Sequence, residues 1–461
     1  MIYWLTSGCD CVSLKFRMKL HLPTFFKACN PAKTLVVGNP EDRQYYIDFS
    51  AVRGGKIIEA LGRTIIRLSP DEPTCQLFTG HIGCGKSTEL FRLKAQLEEQ
   101  RFHVVYFESS QDLDMADVDI SDILLSIAKS VSESVEAVGI HLKPRYFSKL
   151  FNDIKDFLHT PIDLSAEAEL SVGIAKITAK TKDSPQLREQ LRQHLEPRTQ
   201  GILNAINEEI LGRAIEELKY QGKKGLVVIV DNLDRVVPRT VTSERSLPEY
   251  LFIDRGPQLR GLKCHVVYTL PLALMFSNEY ESLKHRLGAG VAPKVLPMVP
   301  VQLRDGRDSS KGMELLRQLV LARAFPDVDA QARLNLVSEV FDSPETLDRL
   351  CRISGGHVRS LLGLLYNCLQ QEDPPFSRSC LESVIKGSRD DLTLAVNEEE
   401  WELLSQVVQQ QLVKGERECE ILLRSGFVYE YRDEEGRWFG VNPALAETAT
   451  FKSLTAALKM S

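Results

Sequence analysis

Gly80-His81-Ile82-Gly83-Cys84-Gly85-Lys86-Ser87-Thr88 decides the fold of this 461-residue chain. The short apolar run CQLFT at 75–79 precedes it, and a helical stripe of Leu90, Leu93 and Leu97 follows. A glycine-rich turn ending in Gly-Lys-Ser, with a strand before it and a helix after it, is built to hold phosphate. Glycines let backbone N–H groups turn inward where a side chain would block a close approach. The positive end of the following helix adds to the attraction for an anion. In that frame Lys86 is placed to bridge two phosphates and the Ser87 hydroxyl to ligate Mg²⁺.

The second decisive stretch is GLVVIVDNLDR at 225–235. Five consecutive apolar residues, Leu226 to Val230, suit a strand buried on both faces of a parallel sheet. Asp231 then stands at its C-terminal end, where open α/β sheets carry their ligand sites. From there a carboxylate reaches the Mg²⁺ opposite Ser87. The residue that activates water stays open among three: Asn232, which orients water but accepts no proton, Asp234 and Glu108. Of the two carboxylates Asp234 ranks first.

With both motifs placed, the chain resembles the AAA+ and STAND-type P-loop ATPases, in particular their origin-recognition-like and NTPase-switch branches. DNLDR at 231–235 is similar to the D-[DEN]-x-D-R Walker B of STAND and KAP-like ATPases. The resemblance implies an ASCE-type P-loop α/β sheet with a helical lid and a C-terminal winged-helix-like domain. It also implies ATP and Mg²⁺ as cofactors. Residues 80–88 become the Walker A loop, with Ser87 and Asp231 on the metal. Thr269, ending the strand CHVVYT at 264–269, becomes the sensor-1 candidate. Arg286 is the candidate arginine finger reaching a neighbouring subunit, with Arg255 as its rival. Gly355-Gly356-His357-Val358-Arg359, leading into Leu361, Leu362, Leu365 and Leu369, matches the GG-x-x-R sensor-2 motif and puts Arg359 at the γ-phosphate.

These landmarks divide the chain. Residues 1–40 read as a partly disordered extension, the first 17 only loosely attached, and 41–303 as the ATPase core. Residues 304–390 read as the lid and 396–461 as the winged-helix-like unit. Lys86 and Asp231 are 145 positions apart, so the core carries an insertion at about 140–222. Alternation from Ile162 to Ile174 predicts a strand or hairpin in its first half; Ile202, Ile206, Ile210 and Leu218 predict helix in its second. VLPMVPV at 295–301 reads as the last strand, shortened by its prolines.

Composition narrows the function. The net charge of −6 and pI near 6.0 provide no global field for nucleic acid. The C-terminal unit carries twelve acids against seven bases, which suits protein contact better than phosphate neutralisation. Ten scattered cysteines fit reduced thiols in the cytoplasm, and no run approaches the ~20 apolar residues of a membrane span. The expectation is an ATPase acting as a nucleotide-dependent switch on an unidentified protein partner, with hydrolysis slow and self-assembly tied to nucleotide. The alternative is a DNA-linked AAA+ ATPase assembling on duplex DNA.

Overall fold

A computed structural model describes residues 20–142, 145–158, 170–182, 184–242, 245–413 and 417–460. Five parallel strands form the central sheet: β1 (Cys75–Gly80), β2 (His103–Glu108), β3 (Leu226–Asp231), β4 (His265–Thr269) and β5 (Lys294–Leu296). Their order is β2-β3-β4-β1-β5, so one strand separates the phosphate-loop strand from the strand that ends in Asp231. All six residues of β3 are buried because helices cover both faces. The loop helix Lys86–Glu99 packs Leu90, Leu93 and Leu97 on one face. The helix Ile120–Glu136 and the inserted segment cover the other.

That inserted segment is helical wherever it is described. Ile202, Ile206, Ile210 and Leu218 are fully buried along one run of helix, as their spacing predicts. The strand expected to end at Ile174 is corrected here: Leu170–Lys182 is a helix, while 162–169 lies outside the described residues. Within that helix Ile174 and Ile177, three positions apart, are both buried, so the period that buries apolar surface here is helical.

The helices Ser310–Ala324, Pro344–Ile353, Val358–Gln371 and Arg378–Leu394 share a second core. Residues 20–40, within the stretch expected to be an extension, fold onto this helical lid: Leu22–Ala28 is a helix whose Phe25 is buried with Cys29 and Phe49 in the lid core. The loosely attached stretch expected at 1–17 lies outside the described residues. The C-terminal domain has helices Glu398–Gln410 and Arg417–Arg424, then the antiparallel strands β6 (Val428–Asp433) and β7 (Gly436–Val441). Among the described residues no helix is long and apolar enough to cross a membrane.

Candidate nucleotide-binding site

The glycine-rich loop leaves β1 at the C-terminal edge of the sheet. Gly83 and Gly85 adopt φ of +91° and +104°, which residues with a side chain rarely accept. A Cβ on Gly83 would also stand 2.6 Å from His357 Nε2 and 2.9 Å from Arg359 Cβ, so the loop has room for the lid only with glycine there. Lys86 opens the following helix and is buried. Its Nζ donates to the carbonyls of Gly80 and His81, each at 2.8 Å, and pairs with Asp234 Oδ2 at 2.9 Å. Burial alone would lower the Lys86 pKa; Asp234 beside it outweighs that, and the net direction is upward. Cys84 is buried under the loop, its thiol 3.8 Å from the Leu296 carbonyl. Ile82, Ser87 and Thr88 line the cavity beside it.

Asp231 is fully buried at the end of β3. Tyr106 OH donates to its Oδ2 at 2.8 Å, the Asn232 N–H to its Oδ1 at 2.7 Å, and Ser87 hydrogen-bonds to its carboxylate as well. Burial, then repulsion from Asp234, raises its pKa against these bonds. The two hard-oxygen groups expected to share Mg²⁺ are therefore adjacent, and their chemistry fits that ion. Asn232 sits in the left-handed region at φ +66° and donates from Nδ2 to Ser110 Oγ at 3.2 Å. Asparagine tolerates that conformation, whereas glutamate would strain it. The left-handed backbone at 232 thus favours asparagine over glutamate.

Asp234 is the carboxylate nearest Lys86; its Oδ1 is buried with no hydrogen-bond partner among the described residues. Glu108 stands opposite Asp231 in the β2–β3 register and accepts from Gln111 Nε2 at 3.0 Å. Thr269 is fully buried, and its Oγ1 accepts the Leu233 N–H at 3.1 Å. The hydroxyl thereby braces the turn that carries Asp234. Arg286 lies elsewhere, donating to the carbonyls of Ile253 at 2.6 Å and Asp254 at 2.8 Å, and Arg255 binds Tyr250 OH and Glu196.

Residues from outside both motifs close the site. A cavity of about 100 Å³ runs from the loop to a wall that includes Lys33, Tyr45, Ile47, Leu319 and Leu362. Arg53 reaches in from the N-terminal segment, donating from Nη2 to the Cys84 carbonyl at 2.9 Å and lying over the Phe49 ring. Arg323 comes from the lid, with Nη1 on the Tyr45 carbonyl at 2.7 Å. Both are buried, and each leaves Nε without an acceptor. Tyr46 OH ties the same N-terminal segment to Glu89 on the loop helix at 3.1 Å. Arg359 donates its backbone N–H to the Gly83 carbonyl at 3.2 Å, and its side chain faces the cavity beside Arg235. Among the described residues Arg53, Arg323 and Arg359 have no carboxylate in ion-pair range. Burial lowers the pKa of each, that of Arg323 to about 10. Arg53 and Arg323 were invisible to motif reading. The only local signal was a basic residue set between apolar and glycine positions in Ala51-Val52-Arg53-Gly54-Gly55.

The C-terminal domain abuts the same loop. Glu430 on β6 accepts Met298 N–H on its carbonyl at 2.9 Å, and its buried side chain meets Arg437 at 2.8 Å. Burial outweighs Arg437 and pushes its pKa up to about 7. The folded protein then holds a proton that the unfolded chain releases near its ordinary 4.5. Stability from this group is lost as pH rises from that value through about 7. Glu430→Gln is expected to flatten thermal stability between pH 5 and 8 and to raise Tm at pH 8. A wild-type Tm unchanged across that range would contradict it.

Residues 55–251 match the family model described as the KAP family P-loop domain. No curated protein matches the chain. Among solved structures 29 chains match. One is the Aeropyrum pernix ORC2 protein in ADPNP–ADP complexes: 13% identity, TM-score 0.36, covering 93% of this chain and 99% of that one. Another is Cdc6p from Pyrobaculum aerophilum: 12% identity, TM-score 0.37, covering 91% and 97%. The matched P-loop model spans the loop, β3 and the insertion between them. The chain has a P-loop NTPase fold, its matched domain lying at 55–251, with a helical lid and a C-terminal domain beside it.

Proposed function

We propose that the protein binds ATP with Mg²⁺, hydrolyses it slowly, and passes the nucleotide state to a protein partner through the lid and C-terminal domain. The observation that carries nucleotide binding is the set of three guanidiniums, Arg53, Arg323 and Arg359, gathered beside the loop with no carboxylate in ion-pair range among the described residues. Unpaired charge is costly to bury, and a polyphosphate would supply the missing anions. Mg²⁺ would be held by Ser87 and Asp231 and would offset phosphate charge.

Lys86 exchanges Asp234 for phosphate oxygen on binding, which frees the Asp234 carboxylate to take a proton from the attacking water. Arg359, anchored to the loop through its own N–H, reports the γ-phosphate to the lid. Hydrolysis is slow because Asn232 occupies the position after the metal-facing acid. A trans role for Arg286 requires it to leave the carbonyls of Ile253 and Asp254. The acidic C-terminal domain favours a protein partner over DNA.

The test pairs stability with binding. Arg53→Met is expected to raise Tm in the absence of nucleotide, since it removes an unpaired buried charge. The same change should weaken a fluorescent ATP analogue by about 10- to 100-fold, the value of a hydrogen bond to a charged group. A variant that binds as well as wild type would remove the basis for the reading. ATPase activity stimulated by duplex DNA in a salt-sensitive way would replace the switch with the DNA-linked role.

A further inference from the structure

His81 occupies a position for which the phosphate-binding motif requires no particular side chain, yet its ring is the most tightly held in the loop. It is 4% exposed, and Nε2 accepts the backbone N–H of Glu430 at 3.0 Å. The ring proton therefore sits on Nδ1, and the Leu423 carbonyl lies within hydrogen-bonding reach of the ring. Both partners belong to the C-terminal domain, about 350 positions along the chain.

The contact does not stand alone. Tyr429 meets the His81 ring edge-on at 5.8 Å and stacks on His357 at 5.6 Å. His357 Nε2 in turn bonds the Ile82 carbonyl at 2.8 Å. One cluster of three rings thus joins the loop, the lid and β6. Burial first, then neighbouring cations, takes His81 down to about 3 and His357 to about 4. An uncharged ring adds nothing to the attraction for phosphate, so its contribution is geometric. That geometry bears on the site, because the His81 carbonyl is one of the two that fix Lys86 Nζ.

We propose that His81 is a positioning residue: its ring, fixed by the C-terminal domain's backbone, holds the start of the loop in the phosphate-accepting shape, so that nucleotide binding and C-terminal docking reinforce each other. This rests on the nucleotide-binding reading above. A stretch with glycine at 80, 83 and 85 has many conformations to lose on meeting a ligand. Fixing it beforehand at the His81 ring, the Ile82 carbonyl and the Gly83 carbonyl lowers that cost. Coupling between sites is reciprocal, so bound nucleotide must tighten β6 by the factor that docking tightens nucleotide.

The experiment uses the full chain, a fluorescent ATP analogue for affinity, and hydrogen exchange of β6 with and without ATP. In wild type, ATP is expected to slow exchange at 428–433. In His81→Ala, the analogue should bind about 10-fold more weakly, exchange should be fast, and ATP should no longer change it. His81→Gln, whose amide oxygen can accept the Glu430 N–H, should recover most of both effects. Equal binding in wild type and His81→Ala, or ATP accelerating β6 exchange in wild type, overturns the proposal. Should His81→Ala misfold, the wild-type exchange response and the glutamine variant still decide. Wild type that binds no nucleotide overturns the nucleotide reading itself, and the coupling with it.

Discussion

Asp234→Asn is expected to lower single-turnover ATP hydrolysis at least about 100-fold, the small end of the range for a lost general base, while ATP affinity holds or rises. The two effects have one cause. Asp234 Oδ2 lies 2.9 Å from Lys86 Nζ, in competition with an incoming phosphate, and its other oxygen has no partner. Asparagine removes the competitor and the base together. Changing the other member of the pair acts on stability and binding together. Lys86→Met strands a buried carboxylate and should lower stability by about 3–5 kcal/mol as well as abolish binding. Combining the two substitutions should restore most of the Tm without restoring binding. Unchanged turnover in Asp234→Asn would hand the role to Glu108, whose strand end lies in register with Asp231.

The second large effect belongs to the lid. A Cβ on Gly356 would stand 1.7 Å from the Val299 carbonyl oxygen, on a residue at φ +74°. The Cβ is fixed by its own backbone and the oxygen it meets is backbone, so no rotamer relieves the clash. Gly356→Ala is expected to cost more than about 3 kcal/mol, combining overpacking with backbone strain. It should also separate Arg359 and His357 from the loop, measured as loss of the ATP-induced shift in Tm. Gly387→Ala is the control: it lies in the helix Arg378–Leu394 with nothing within 4 Å of the added methyl, and should leave Tm level or up to about 1 kcal/mol better. Equal behaviour of the two variants would show that lid docking does not depend on close contact at Gly356.

What could be read from the sequence was what is local. Gly80 to Thr88, the apolar run into Asp231, and Gly355 to Arg359 each carry their chemistry within a dozen residues, and the fold brings all three together. Tertiary partnership hid the rest. His81 was legible only as part of the loop, because the atom that holds its ring is on Glu430. Arg323 looked like one more polar residue on a lid helix, since the Tyr45 carbonyl it meets lies 278 positions earlier. The alternation misled at its described end, 170–174, because Ile174 and Ile177 bury one face at helical spacing. Asn232 could be read as a residue that accepts no proton, but the left-handed turn it occupies became visible only in the backbone.

The segment from Pro31 to Arg53 has a consequence for timing. It is buttoned to the lid through Arg323 and to the loop helix through Glu89, and it forms the wall of the cavity remote from Lys86. For a nucleotide seated there, that side opens only when the flap peels back from these two anchors and Arg53 leaves the Cys84 carbonyl. Dwell time then becomes a property of a short piece of chain near the amino end, adjustable by anything that grips or loosens it, with the chemistry at the glycine loop left untouched.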